Sequence, residues 1–244
     1  MNKKIYPVIN LLLVGVTIFM SYYSNTGAMN GNTMGSLSNE YDNFFTPASY
    51  AFSIWGLIYI GLMGHAVKLF FLKDELKVKT QSTWMSLANL GNIAWVFLWL
   101  YEYTALSTLA MAFILFSLVK LGLSTSVENK KQSLWIWWPV SIYMGWITVA
   151  LAANVSAYLA KIEFEFLLTE PQWALVLILI ATAIYGFILV KTRLEYAVFV
   201  GTWALIAISL EQWNQQVLIQ WTALICAIIL FIPAVWSGFK ARTA

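Results

Sequence analysis

The sequence predicts an all-α fold, a polytopic integral-membrane bundle with eight transmembrane helices, and three observations lead there. Of the 244 residues, 61% are hydrophobic and 10% are charged, where an ordinary soluble domain carries about 25% charged residues. Apolar runs long enough to cross roughly 30 Å of hydrocarbon recur almost without pause, so no stretch remains for a soluble domain of useful size. The charged residues of the connecting loops also change sign from one end of the bundle to the other.

In chain order, the first run, 5–23, follows Asn2-Lys3-Lys4. Its basic start is shared with signal peptides, but the apolar part is long for such a segment and "SYYSNTG" is a poor cleavage site, so it reads as a span. The second, 48–72, opens on the proline turn "FFTP". The third and fourth, 83–101 and 105–123, flank a short turn at Glu102, and the fifth, 134–157, is rich in tryptophan. The last three are 173–190, 195–210 and 217–238. An even count puts both termini on one side, and the charges test that. Lys3 and Lys4, then Lys68, Lys73, Lys77 and Lys79, then Lys130 and Lys131, then Lys191 and Arg193, then Lys240 and Arg242 fall on one side. The opposite loops hold Glu40, Asp42, Glu102, Glu163, Glu165, Glu170 and Glu211, with Lys161 as their cation. By the positive-inside rule both termini are cytoplasmic, in what reads as a bacterial inner membrane, and loop 25–46 lies outside. That loop is rich in Gly, Asn and Ser, and both an ordered lid and a flexible connector remain open for it.

The net charge of +3 is explained by orientation, and no nucleic-acid patch is present. A lone Cys226 excludes an internal disulfide and a multi-cysteine metal site. A single histidine excludes a multi-histidine metal site and leaves no convincing Cys/His nucleophile. His65, about two turns from the cytoplasmic end of the second span, is open to two readings, haem ligand or interhelical hydrogen bond, of which the second is commoner for intramembrane polar residues.

Two helix faces carry the candidate chemistry. In "TWMSLANLGNIAWVFLWLYEY" a step of about 100° per residue gathers Trp84, Asn92, Trp95, Trp99 and Glu102 into one lane. An asparagine at mid-membrane depth needs a hydrogen-bonding partner or a wet cavity. In "SLWIWWPVSIYMGWITVALAANVSAYL" Trp135, Pro139, Tyr143, Trp146, Ala150, Asn154 and Ala157 form a second lane. Each lane also has a packing explanation, in which the amides join helices and small residues permit close approach. Facing each other, the two would enclose a flat apolar pocket with a few fixed polar groups. Trp135, Trp137, Trp138, Trp213 and Trp221 lie near span ends, where rings form interfacial belts. The deeper Trp55, Trp95 and Trp146 are the stacking candidates.

The segments "FFTPASYAFSIWGLIY", "NIAWVFLW" and "GWITVALAAN" resemble the tryptophan-rich sensory protein family, relatives of the translocator protein or peripheral benzodiazepine receptor, over about residues 5–160. The resemblance implies a five-helix membrane bundle, commonly dimeric, with a pocket under the first extracytoplasmic loop that takes porphyrins, sterols and synthetic aromatic ligands. Pro47 and Phe52 match the family's Pro-Pro-Gly-Trp-Val-Phe pattern, while Ala48, Ser49 and Tyr50 replace its second proline, glycine and tryptophan. Trp55 and Tyr59 each arrive one residue early, a rotation of about 100° unless the backbone compensates. Asn92 and Trp95 match the Asn-x-x-Trp of the third helix, and Trp146 and Asn154 keep the spacing of the fifth.

These readings divide the chain into a translocator-like bundle, 1–160, and a three-span membrane extension, 161–244. The function expected is a non-enzymatic receptor or carrier for a planar hydrophobic molecule, a tetrapyrrole first and a sterol-like or carotenoid-like lipid second. Its expected ligand-binding residues are Pro47, Trp55, Tyr59, Asn92, Trp95, Trp99, Tyr143, Trp146 and Asn154. No cofactor or metal is required, although the resemblance allows a bound porphyrin or haem, and the partners are a hydrophobic small molecule, the lipid bilayer and, in the family's manner, a second copy of the chain. Two other classes stay open: an integral-membrane lipid enzyme of the lysoplasmalogenase type, for which Glu102 is the available acid, and a secondary transporter, for which the two halves lack the expected internal similarity.

Overall fold

The computed structural model describes residues 4–41, 43–125, 133–164 and 166–243, with side chains as far as residue 238. The loop charges Lys3, Asp42, Lys130, Lys131 and Glu165 and the side chains of Lys240 and Arg242, on which part of the charge alternation rests, lie outside the described residues. Among the described residues there is no strand. The elements are α1 (Ile5–Tyr23), α2 (Met34–Glu40), a 3-10 turn (Ser49–Ser53), α3 (Ile54–Leu69), α4 (Glu75–Leu100), α5 (Thr104–Ser124), α6 (Leu134–Lys161), α7 (Glu170–Thr192), α8 (Glu195–Glu211) and α9 (Val217–Thr243).

Each apolar run of the sequence falls on one long helix. Six of these helices, among the described residues, are long and apolar enough to cross a membrane: α1, α3 with its 3-10 turn, α5, α6, α7 and α9. The other two fall short for different reasons. α8 has only 17 residues. α4 opens on Glu75, Lys77 and Lys79 and carries Asn89 and Asn92 in its apolar half. Both amides are fully buried, so they lower the helix's hydropathy without meeting lipid.

Local chemistry sets several helix ends. Asp74 Oδ1 accepts from Lys77 N at 3.1 Å at the start of α4, and α7 begins with a capping box between Thr169 and Gln172 and Pro171 in its first turn, both satisfying amides that a helix start leaves free. Helices α1, α4, α5, α6 and α3 touch in that order, and α3 returns to α1, closing a five-helix ring. Helices α7, α8 and α9 pack on one another, α7 and α8 also pack against α6, and α7 reaches α5. α6 is thus the wall shared by both groups, and 78% of its apolar stretch is buried against 22% of that in α1. The outer faces of the helices expose Leu12, Ile60, Leu109, Val190 and Ile232. Such a coat suits hydrocarbon, and the helix supplies its own backbone hydrogen bonds there. The chain is an all-helical integral membrane protein whose outer faces contact lipid.

Where α6 meets α8 the backbones approach closely. A Cβ on Gly145 would lie 2.5 Å from the Ala197 carbonyl oxygen, so only glycine fits. Tyr185 Oη donates to the Gly145 carbonyl at 2.6 Å, and Ala197 N donates to Ser141 Oγ at 2.8 Å. Small residues and buried hydroxyls are the usual means of joining helices in lipid.

Of the two readings open for loop 25–46, the structure has the ordered cover. Its helix α2 starts with a capping box between Thr33 and Ser36, and Leu37 and Met29 pack with Val96, Trp99, Leu100 and Ala157 at one end of the ring.

Candidate functional site

Beneath that cover lies a cavity of about 810 Å³. Its walls come from α1, α2, the 3-10 turn, α3, α4 and α6, and Glu211 at the end of α8 completes the rim. Trp55 is the hub of the aromatic wall. Its ring stacks on Tyr59 (centroids 5.5 Å apart, planes 24°) and on Trp95 (6.4 Å, 18°). It meets Trp146 edge-on at 6.4 Å and Tyr143 at 6.2 Å, and Phe52 meets Trp146 edge-on at 5.6 Å.

The 3-10 turn explains how Trp55 and Tyr59 reach the wall although each comes one residue early for the family pattern. A 3-10 helix turns about 120° per residue against about 100° for an α-helix, so five residues add about 100°, the step that the missing residue removed. The turn itself is held from outside the ring: Ala48 N donates to the Ala207 carbonyl of α8 at 3.2 Å, and Tyr50 meets Trp203 of α8 edge-on at 5.0 Å. Pro47, buried, lines the cavity just before it.

The two amides occupy different situations. Asn154 lines the cavity with its amide engaged: Oδ1 accepts from Trp95 Nε1 and from Ser107 Oγ, each at 3.1 Å, and Nδ2 donates to the Ala150 carbonyl at 3.0 Å. It therefore fixes the Trp95 ring. Asn92 lies one turn below Trp95 in the closed interior, outside the cavity lining, and neither of its amide atoms has a hydrogen-bond partner among the described residues. The Tyr143 hydroxyl is its neighbour and the two polar groups interact, but without a hydrogen bond of good geometry between them. Unpaired polar atoms in a buried site each cost about 1–3 kcal/mol, and here they sit directly under the aromatic wall. Of the nine sequence-predicted site residues, Pro47, Trp55, Tyr59, Trp95, Trp99, Trp146 and Asn154 line the cavity, while Asn92 and Tyr143 form the layer beneath it.

The cover is latched at the α4–α5 turn. Tyr41 Oη donates to Glu102 Oε2 at 2.6 Å, Lys161 Nζ donates to the Glu102 carbonyl at 2.7 Å and stands 3.8 Å from its Oε2, and Asn30 Nδ2 donates to the Leu100 carbonyl at 3.0 Å. Burial first, and then the bond to Glu102 and its charge, hold the Tyr41 phenol well above its ordinary value, so it remains a donor. Glu102 accordingly closes the cover.

Other residues of the two lanes serve packing. Trp84 meets Phe116 edge-on at 6.0 Å, away from the cavity lining. His65 is fully buried, with Nε2 at 3.2 Å from Gln81 Oε1, and Gln81 Nε2 donates to Thr125 Oγ1 at 3.0 Å. That is the interhelical hydrogen bond expected of it. Sequence reasoning did not single out Tyr41, Ser107 or Glu211 as part of the site. Tyr41 and Ser107 lie 61 and 47 residues from their partners Glu102 and Asn154, Glu211 comes from the end of α8, and no spacing rule links them.

Fold and cavity together define a membrane-embedded helical bundle with an aromatic-walled internal chamber. The profile of the TSPO-like protein family matches residues 7–236, and the chain belongs to that family. The match takes in α7–α9, which the quoted motifs did not reach. No match was found among curated proteins or among solved structures.

Proposed function

We propose that this protein binds a planar hydrophobic molecule in the chamber under α2 and serves as its receptor or carrier rather than as an enzyme. The observation that supports this most is the chamber's wall: five lining rings, Phe52, Trp55, Tyr59, Trp95 and Trp146, linked through Trp55 and Trp146 around about 810 Å³, within the roughly 300–1,000 Å³ usual for small-molecule sites. A flat ring system stacked on Trp95 and Trp146 buries well there, with Pro47, Trp55, Tyr59 and Trp99 completing the contact. Asn154 holds Trp95 in place, and the buried Asn92 and Tyr143 form the polar layer beneath the rings. A tetrapyrrole is the first ring to test, and a sterol-like or carotenoid-like lipid the second. Titrating protoporphyrin into the purified protein should quench tryptophan emission. Each of Trp95→Leu and Trp146→Leu should weaken binding by about 1 kcal/mol, the scale of an aromatic pair beyond burial. Unchanged affinity in the folded double variant would remove the wall from the site.

In this reading all eight long helices cross the membrane, with both termini in the cytoplasm of a bacterial cell and the α2 cover outside. Residues 1–160 form the binding bundle, and 161–244 add three spans that buttress α6 and supply the rim. Cysteines placed at Glu40 and Lys73 should then react with impermeant reagent from opposite sides. Labelling of both from one side would overturn the orientation.

A further inference from the structure

Among the described residues lining the chamber, Glu211 is the one charged side chain. The other polar lining groups, such as Ser21, Asn25, Ser38 and Asn39, are neutral. Glu211 is exposed and has no partner among the described residues. Among the described residues, the loops at this end of the bundle contain Glu40, Glu102, Glu163, Glu170 and Glu211, with Lys161 as their cation. Lys161 is already committed: it bridges to Glu102 and lies 5.1 Å over the Tyr41 ring.

A ligand carboxylate entering the chamber would give up hydration, find no cation to pair with and face the Glu211 carboxylate. Taking a charge out of water without a partner is strongly unfavourable. An ammonium would enter a chamber lined by the Trp95 and Trp146 rings, whose π systems attract cations, and meet a counter-charge at the rim. The surrounding acidic loops would also raise the local concentration of cations and repel anions.

We infer that the chamber selects a flat polycyclic ligand bearing an amine cation over one bearing free carboxylates, with Glu211 of α8 as the specificity-determining counter-ion. This rests on the ring-binding reading above and adds the charge of the ligand to it. It also gives the C-terminal helices a part in recognition, because α8 carries the residue that sets the sign.

The test uses the full chain and three probes that share one ring: protoporphyrin as the free acid, its dimethyl ester, and its bis-amide ending in quaternary ammonium groups. The cationic probe should bind tightest and the free acid weakest, with roughly fivefold between cation and ester, a typical cation–π increment. Added salt should narrow the order. Glu211→Gln should weaken the cation roughly twofold, the scale of an exposed ion pair, strengthen the free acid and leave the ester unchanged, while Glu163→Gln, outside the lining, should alter none of the three at high salt. Free acid binding as tightly as the cation, or an order unmoved by Glu211→Gln, overturns the inference alone. Binding of none of the three rings to folded protein overturns the ring-binding reading and this inference with it.

Discussion

α6 presents two contrasting faces. Toward α8 it is closed: Gly145 lies against the Ala197 backbone, Gly201 lies under the Tyr185 ring, where a Cβ would meet ring atoms at 2.5 Å, and the Ser141 and Tyr185 hydroxyls are both paired. Toward the five-helix ring it opens on the chamber, and beneath that lie the unpaired Tyr143 hydroxyl and Asn92 amide. In lipid there is little hydrophobic drive to bring helices together, so association depends on close packing and paired polar groups. The closed face meets both conditions. The open face relaxes both, which is how a binding site differs from a joint.

The largest effect should come from spoiling the joint. Gly145→Val would drive a branched side chain into the Ala197 backbone, costing about 3 kcal/mol, the upper range of overpacking. Gly15 faces open space, so Gly15→Val should be nearly neutral, and thermal unfolding in detergent compares the two. Equal stability would mean that Gly145 does not mark a closely packed joint.

On the open face, Asn154→Leu removes the acceptor shared by Trp95 and Ser107. Ser107 keeps the Thr104 carbonyl as acceptor, but stranding the Trp95 indole N–H should lower stability by about 2 kcal/mol and, by releasing the Trp95 ring, weaken probe binding. Asn92→Leu should behave oppositely. Its amide has no partner to lose, so stability should stay within about 0.6 kcal/mol of the parent, the average worth of an intramembrane hydrogen bond, or rise. Because Asn92 lies outside the cavity lining, probe affinity should fall less than it does in Trp95→Leu. A loss of stability as large as that of Asn154→Leu would mean that Asn92 is structural.

The smallest effect belongs to the cover. Tyr41→Phe removes one bond to Glu102 and should raise the probe's dissociation rate roughly twofold, equivalent to about 0.5 kcal/mol, with little change in unfolding. Because the Tyr41 phenol is held above its ordinary value of about 10, its contribution is fully present below that pH and is lost as pH rises through the raised value. Dissociation from the parent should therefore be flat from neutral to mildly alkaline pH. A rise near neutral pH would point to another group.

Membrane residence, the order of the long helices, and the gathering of Trp95, Trp146 and Asn154 were legible in the sequence, because they depend on composition and on the fixed angular step of a helix. The same step brought Trp84 into the lane of Asn92, yet Trp84 packs on Phe116 instead, since a lane says which residues share a face but not what that face meets. Only the tertiary structure decided that Asn154 is paired while Asn92 is not, that a five-residue 3-10 turn returns Trp55 and Tyr59 to the wall, and that Tyr41 and Glu211 close and rim the chamber. Those outcomes depend on contacts between elements far apart in the chain. Helix periodicity carries no information about such contacts, whereas hydrophobic length and local turn geometry are properties of the chain segment itself.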